Sequence, residues 1–217
     1  PPQPLLDYAA QLATPLQIKH QQFDFSDDGE TWSWWNETQT FTRLPKPKLA
    51  LDNAATAIAA IRVLQLNVTE AALHNGLKSA QLAGRAEHLV YQQKKIVMDV
   101  AHNAHGAAFF MQQLPVIPYK TFAVFAMLSD KDIGATLDSC LGRIDSWFIA
   151  GLEVPRGTPV DKLAPLLLAR GMVVGGSYQS VGAAMRSALV QAQTGDRILV
   201  FGSFYTVAAA KQWLATH

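Results

Sequence analysis

Five short apolar runs, each followed by a helical pattern, constrain this chain more than any other feature. They are KIVMDVA (95–101), TFAVFAML (121–128), DSWFIAG (145–151), MVVGG (172–176) and RILVFGS (197–203). Between and after them lie HNAHGAAFFMQQL, DIGATLDSCL, PVDKLAPLLLARG, VGAAMRSALVQAQ and FYTVAAAKQWLATH, all helical in pattern. The runs are continuously apolar, so their strands are expected to be covered on both faces. Strands alternating with helices imply parallel βαβ units. Residues 86–217 are therefore read as one open α/β domain, with a mostly parallel, Rossmann-like sheet and helices on both faces. In such sheets ligands bind beyond the carboxyl ends of the strands. The polar clusters DVAHNAH, SDKD and GSFYT all sit at strand ends.

The first 85 residues have a different character. Leu5, Leu6, Tyr8, Ala9 and Leu12 could line one face of a short helix. QFDFS and TWSWWNETQTFTRL are aromatic and Thr-rich, are split by Asp27-Asp28-Gly29, and read as a β-hairpin. Trp32, Trp34 and Trp35 could form an aromatic platform, but packing on a neighbour is the better reading. After the break at Leu44–Lys48, LDNAATAIAAIRVLQL is an Ala-rich helix with Asp52 or Asn53 near its start. TEAALHNGLKSAQ is a second helix with Thr69 as its cap, and Gly84 marks the turn that leads out of the pair.

Bulk properties narrow the function. Lys plus Arg is 18 and Asp plus Glu is 17, so the net charge of +1 draws the chain to neither nucleic acid nor an anionic membrane. Hydrophobic residues are 49% and charged residues 16%, which is too apolar and too weakly charged for a disordered chain. No apolar stretch of about 18 residues is present to span a membrane. The single Cys140 fits a reducing, cytoplasmic setting, and the N-terminus lacks the features of a signal peptide. An opening on Pro1-Pro2 without an initiator Met reads as a cut in a linker, so the chain is expected to be a piece of a longer protein.

The common nucleotide signatures are missing. There is no G-x-x-x-x-G-K-[ST] phosphate loop and no G-x-G-x-x-G after a strand. With one Cys, thiolate metal sites are out, and His102 with His105 is too small a set for zinc. Asp99, at a strand end, could bind a ribose or orient a base, and His102, near a helix N-terminus, could meet an anion. The competing reading is a turn whose Asp99 and Asn103 satisfy backbone groups. In SDKD, Lys131 could hold a carboxylate or phosphate and Asp130 an ammonium; alternatively the segment is a solvated turn with Asp132 capping a helix. Ser203 sits where free N–H groups favour an anion, or it is a simple cap. From the residues alone, a stand-alone α/β module for a small anion or nucleotide stays open, as does a domain whose strand-end residues only cap.

LDNAATAIAAIRVL, LAGR, IVMDVAHNAHGAAFF, FAMLSDKDI, LEVPRG and LVFGSFYTVA occur in that order. Together they resemble the C-terminal half of the folylpolyglutamate synthase/dihydrofolate synthase family, in its bifunctional bacterial form, within the Mur ligase superfamily. The resemblance runs from about Asp24 to His217 and rests on six motifs, each weak alone. It implies an ATP-dependent, monomeric ligase that adds L-glutamate to dihydropteroate or a folate through an acyl phosphate. It implies residues 1–48 as the tail of an ATP-binding domain, 49–85 as a helical pair and linker, and 86–217 as the C-terminal ligase domain. The magnesium ligands and phosphate loop would lie in a preceding half. By resemblance, Asn53 would contact adenine and Arg85 the phosphates. Asp99 and His102 would face the nucleotide and serve catalysis, and His102, Ser203, Asp130 and Lys131 would border the glutamate. The sequence departs from the family pattern at Ala83 and Ala104, where Pro is usual; both changes loosen a turn without removing a chemical group.

Overall fold

The computed structural model describes residues 1–217, which divide into two compact units, 1–82 and 83–217. In the first, helix α1 (Gln3–Gln11) precedes an antiparallel sheet of β1 (Phe23–Asp27), β2 (Thr31–Asn36) and β3 (Thr40–Pro45). Helices α2 (Leu51–Val63) and α3 (Glu70–Ser79) follow. The expected hairpin is β1–β2, turning at Gly29, whose φ of +94° suits a residue without a side chain. It gains a third strand because Asn36 makes a second turn. The Asn36 carboxamide oxygen accepts from the Thr38 and Gln39 N–H groups at 3.0 and 2.8 Å.

Alternation along β2 puts Trp32 and Trp34 on one buried face, while Trp35 points the other way and is exposed. Their indole N–H groups donate to the Pro45 and Ala55 carbonyls at 3.0 and 3.1 Å, so the two rings belong to a satisfied core rather than an open platform. Phe23, Leu44, Ile58, Leu73 and Leu77 complete that core. Thr69 caps α3, accepting from the Ala72 N–H. Helix α2 starts from Ala50, with no side-chain cap; Asp52 lies in its first turn, where a negative charge favours the helix dipole.

The second unit holds β4 (Glu87–Tyr91), β5 (Lys94–Asp99), α4 (Ala104–Gln113), β6 (Thr121–Phe125), α5 (Ile133–Asp138), β7 (Ser146–Ala150), α6 (Val160–Leu168), β8 (Val174–Tyr178), α7 (Val181–Gln191), β9 (Arg197–Phe201) and α8 (Phe204–Thr216). Sheet order is β4-β5-β9-β6-β7-β8, parallel from β5 to β8, with β4 antiparallel on the edge. The sequence hides β4: its turn is Gln92-Gln93, at φ +47° and +63°, where Asn-Gly is the usual signal. The MVVGG strand is displaced toward the C-terminus and covers Val174–Tyr178.

Successive side chains of the four central strands enter opposite cores. Ala123, Phe125, Ile149, Leu199 and Phe201 meet α4, α5 and α6. Phe122, Val124, Phe148, Ile198 and Val200 meet α7 and α8. No helix is long and apolar enough to cross a membrane. At the centre of the first core, the Phe201 ring lies 5.7, 5.2 and 5.9 Å from those of Phe110, Phe125 and Trp147. Truncating Phe201 to Ala should therefore cost about 3–5 kcal/mol in chemical denaturation. A loss below about 1 kcal/mol would mean that the cluster does not hold this unit together.

Candidate functional site at the carboxyl edge of the sheet

Strands β5, β9 and β6 lie side by side. Asp99 of β5 and Phe125 of β6 are both in register with Phe201 of β9. The segments that follow, 100–103, 202–204 and 126–132, therefore leave the sheet at one edge. The N-termini of α4 and α8 open there, with unpaired N–H groups and a partial positive charge. Gly202 makes the crossing possible. Its φ is +113°, and a β-carbon there would lie 2.4 Å from the Ala126 carbonyl oxygen.

Asp99 is buried and its carboxylate is well occupied. It accepts from the Ala101 N–H at 2.7 Å, the Ala86 N–H at 2.9 Å and the Arg85 guanidinium at 3.3 Å. Burial pushes its carboxyl above the ordinary value, while the two N–H groups and the Arg85 charge pull the other way. The LAGR turn thus docks on the end of β5: the Val100 N–H also donates to the Gly84 carbonyl at 2.7 Å. Asp99 performs the turn function and also holds Arg85.

His102 sits with Nδ1 at 2.9 Å from the Val100 carbonyl oxygen. A carbonyl only accepts, so Nδ1 carries the hydrogen, and in the neutral ring Nε2 is an acceptor. The exposed Phe204 ring lies 6.3 Å from the imidazole. Asn103 caps α4 through the Gly106 N–H at 2.7 Å.

Ser203 is buried and caps α8. Its hydroxyl oxygen accepts from the Thr206 N–H at 3.0 Å. Thr206 Oγ1 donates to the Ala126 carbonyl at 2.6 Å, so the 2.7 Å contact between the two hydroxyls has Ser203 as donor. Ser203 has no spare proton for a ligand; the edge offers N–H groups there instead. Asp132 caps α5 through the Ala135 N–H at 2.9 Å. Asp130 pairs with Arg156 at 2.7 Å, whereas the Lys131 ammonium makes no ion pair. Gly157 allows the loop carrying Arg156 to approach: a β-carbon there would clash with the Leu152 carbonyl.

The structure thus brings Arg85, Asp99, His102, Asp130, Lys131 and Ser203 to this edge. Asn53 belongs to the other unit, exposed in the first turn of α2, where it lines an apolar cavity of about 280 Å³ between α2 and α3. Arg156, Thr206 and Phe204 were not singled out by the sequence. Arg156 lies within the LEVPRG motif, but its partner is 26 residues away. Cys140 offers no nucleophile, because burial pushes its thiol up to about 12.

The second unit is thus an open, mostly parallel sheet with a Gly-Ser-capped helix and an Asp–His turn at its carboxyl edge. Residues 84–204, more than half of the chain, match the family described as Mur ligase, glutamate ligase domain, and the chain belongs to that family. It is 35% identical over 209 residues to the dihydrofolate synthase/folylpolyglutamate synthase of Escherichia coli, covering 95% of this chain and 48% of that protein. It is similar to E. coli FolC in complex with DHPP and ADP, with TM-score 0.86, 35% identity, and coverage of 99% of this chain and 51% of that one. It is also similar to a bifunctional folylpolyglutamate synthase/dihydrofolate synthase with Mn, AMPPNP and L-glutamate bound, with TM-score 0.87, 37% identity, and coverage of 100% and 51%. The chain spans about half the length of the relatives it matches.

Two measurements check this geometry. A raised Asp99 value means the folded chain holds that proton more tightly than the unfolded chain. Its contribution to stability is complete below the unfolded value of about 3.9 and is lost as pH rises through the folded one. Carboxyl ¹³C titration should place Asp99 above about 3.9, and Arg85→Gln should raise it further by removing a favourable charge. A fall on that substitution would show that Arg85 does not act on Asp99. At Ala104, the first residue of α4, a proline loses no hydrogen bond, and Asn103 already has the extended backbone that a following proline demands (φ −154°, ψ 167°). Ala104→Pro should stabilise the chain by about 0.4–1 kcal/mol in thermal unfolding; destabilisation would place residue 104 outside the helix start.

Proposed function

We propose that this chain is the C-terminal part of an ATP-dependent ligase that adds L-glutamate to dihydropteroate or a folyl-(poly)glutamate. The observation that carries the reading is that Asp99–Arg85, His102 and the segment bearing Lys131 leave the sheet at the edge where two helix N-termini open, on a chain similar throughout to such synthases. In the reaction, a substrate carboxylate oxygen attacks the γ-phosphorus of ATP, the bond to the ADP oxygen breaks, and an acyl phosphate forms. The glutamate amine then attacks the acyl carbon, loses a proton, and expels phosphate as the amide forms.

Each residue is given a part that its geometry supports. Asn53, beside an apolar cavity, offers the carboxamide donor and acceptor that adenine pairs with. Arg85, oriented by Asp99, neutralises phosphate charge and offers a planar fork of donors. Asp99 acts on the nucleotide mainly through Arg85, since its oxygens are already occupied. His102, with Nδ1–H tied to Val100, presents Nε2 to the glutamate amine and can accept the proton that amide formation releases. Lys131 meets a glutamate carboxylate. Asp130 holds Arg156 beside it, and Ser203 shapes the N-terminus of α8 that faces the same group.

Magnesium accompanies the nucleotide in this reading. No group of three or more His, Cys, Asp or Glu side chains converges in this chain. Residues 1–48 are assigned to the end of the ATP-binding domain of the complete enzyme.

Steady-state kinetics test the proposal in a protein that joins this chain to a phosphate-loop half. Lys131→Ala should raise the KM for glutamate about ten- to a hundredfold, the cost of losing a hydrogen bond to a charged group, and leave the KM for ATP nearly unchanged. The 217-residue chain by itself should show no folate-dependent ATP hydrolysis, because it carries no phosphate loop. A Lys131 variant that weakens ATP and spares glutamate would overturn the assignment of the glutamate pocket.

A further inference from the structure

Residues 1–82 contain a second polar site, a cleft of about 600 Å³ between the β2–β3 turn and the C-terminal end of α2. Gln22, Asn36, Glu37, Arg62, Gln65 and Asn67 are among the residues that line it. Two of its carboxamides already accept from the backbone. Asn36 accepts from Thr38 and Gln39, and Gln22 accepts from the Ile18 N–H at 2.9 Å. Both keep their N–H₂ donors for a ligand.

Arg62 is held in place without being satisfied. Its guanidinium lies over the Phe41 ring at 5.0 Å, and one terminal nitrogen makes a long bond of 3.4 Å to the Val68 carbonyl. Its Nε is buried with no partner and does not reach the surface, so what Arg62 offers a ligand is its terminal N–H groups. Glu37 lines the same cleft, exposed on the turn, and the two opposite charges do not pair with each other. A cation with surplus donors and an unpaired carboxylate lining one cleft complement a molecule that carries both charges.

We propose that this cleft binds a small α-amino-acid zwitterion, its carboxylate on Arg62 and the Asn36 and Gln22 amides, its ammonium on Glu37. None of its residues belongs to the carboxyl edge of the large sheet, so its test does not turn on the nucleotide and glutamate contacts proposed there.

The probe is L-glutamine, titrated into ¹⁵N-labelled 217-residue chain and followed by the side-chain amide signals of Asn36 and Gln22. These signals should shift saturably. N-acetyl-L-glutamine, which has no ammonium, and L-glutamine α-amide, which has no carboxylate, should each bind at least about tenfold more weakly. Arg62→Gln should abolish the shifts. Glu37 is an exposed turn residue that the fold does not need, so Glu37→Gln is a second variant that keeps the chain folded. In it, L-glutamine and N-acetyl-L-glutamine should bind equally. No saturable shift at Asn36 and Gln22, equal binding of the acetylated probe to the unaltered chain, or shifts confined to residues 99–103 and 202–205 would each overturn the proposal.

Discussion

The insertion of β9, the last strand of the chain, between β5 and β6 is the constraint on which the rest of the second unit depends. It completes the parallel sheet, places Phe201 among three aromatic rings, and sets the three polar segments of the carboxyl edge beside one another. The insertion leaves no room where β9 passes Ala126, and Gly202 meets that requirement twice, by its positive φ and by its missing side chain. Thr206 then seals the crossing by donating to the Ala126 carbonyl. Fold and candidate site share the same few atoms.

Sharing of this kind explains why the edge residues are hard to classify singly. A polar side chain at a strand end first has to satisfy backbone groups, because an unpaired buried N–H is costly. Asn103, Asp132 and Ser203 do that as helix caps, and Asp99 does it for Ala86 and Ala101. What remains after that accounting is the chemistry available to a ligand: the Arg85 fork, the Nε2 of His102, the Lys131 ammonium and the N–H groups of two helix ends. Capping and function describe successive demands on the same residues.

Much of the fold was legible because its signals are local. Apolar runs marked the strands, and Thr69, Asn103 and Asp132 marked helix starts; the three tryptophans were read together as packing residues, which holds for Trp32 and Trp34 but not for the exposed Trp35. The missed elements turn on residues that carry no turn signal: Gln92-Gln93 before β5, and the Glu37-Thr38 turn, which leans on the Asn36 side chain. The polar residues of the carboxyl edge were legible as types at strand ends, and their states were not. The tautomer of His102 depends on where the Val100 carbonyl falls, and the pairing of Asp130 with Arg156 depends on β6 and β7 being neighbours in the sheet. That Ser203 has no free proton follows only from a chain of three oxygens that sequence cannot align.

The central claim is that the carboxyl edge of the large sheet is where this chain meets the nucleotide. Amide chemical-shift mapping with AMPPNP and magnesium, on the labelled 217-residue chain, tests it most directly. The account predicts that the perturbed amides at this edge cluster at Arg85–Ala86 and Asp99–Asn103, with Gly202–Tyr205, on the glutamate side, little changed. Perturbation confined to the opposite ends of the strands, around Lys95 and Arg197, would contradict it.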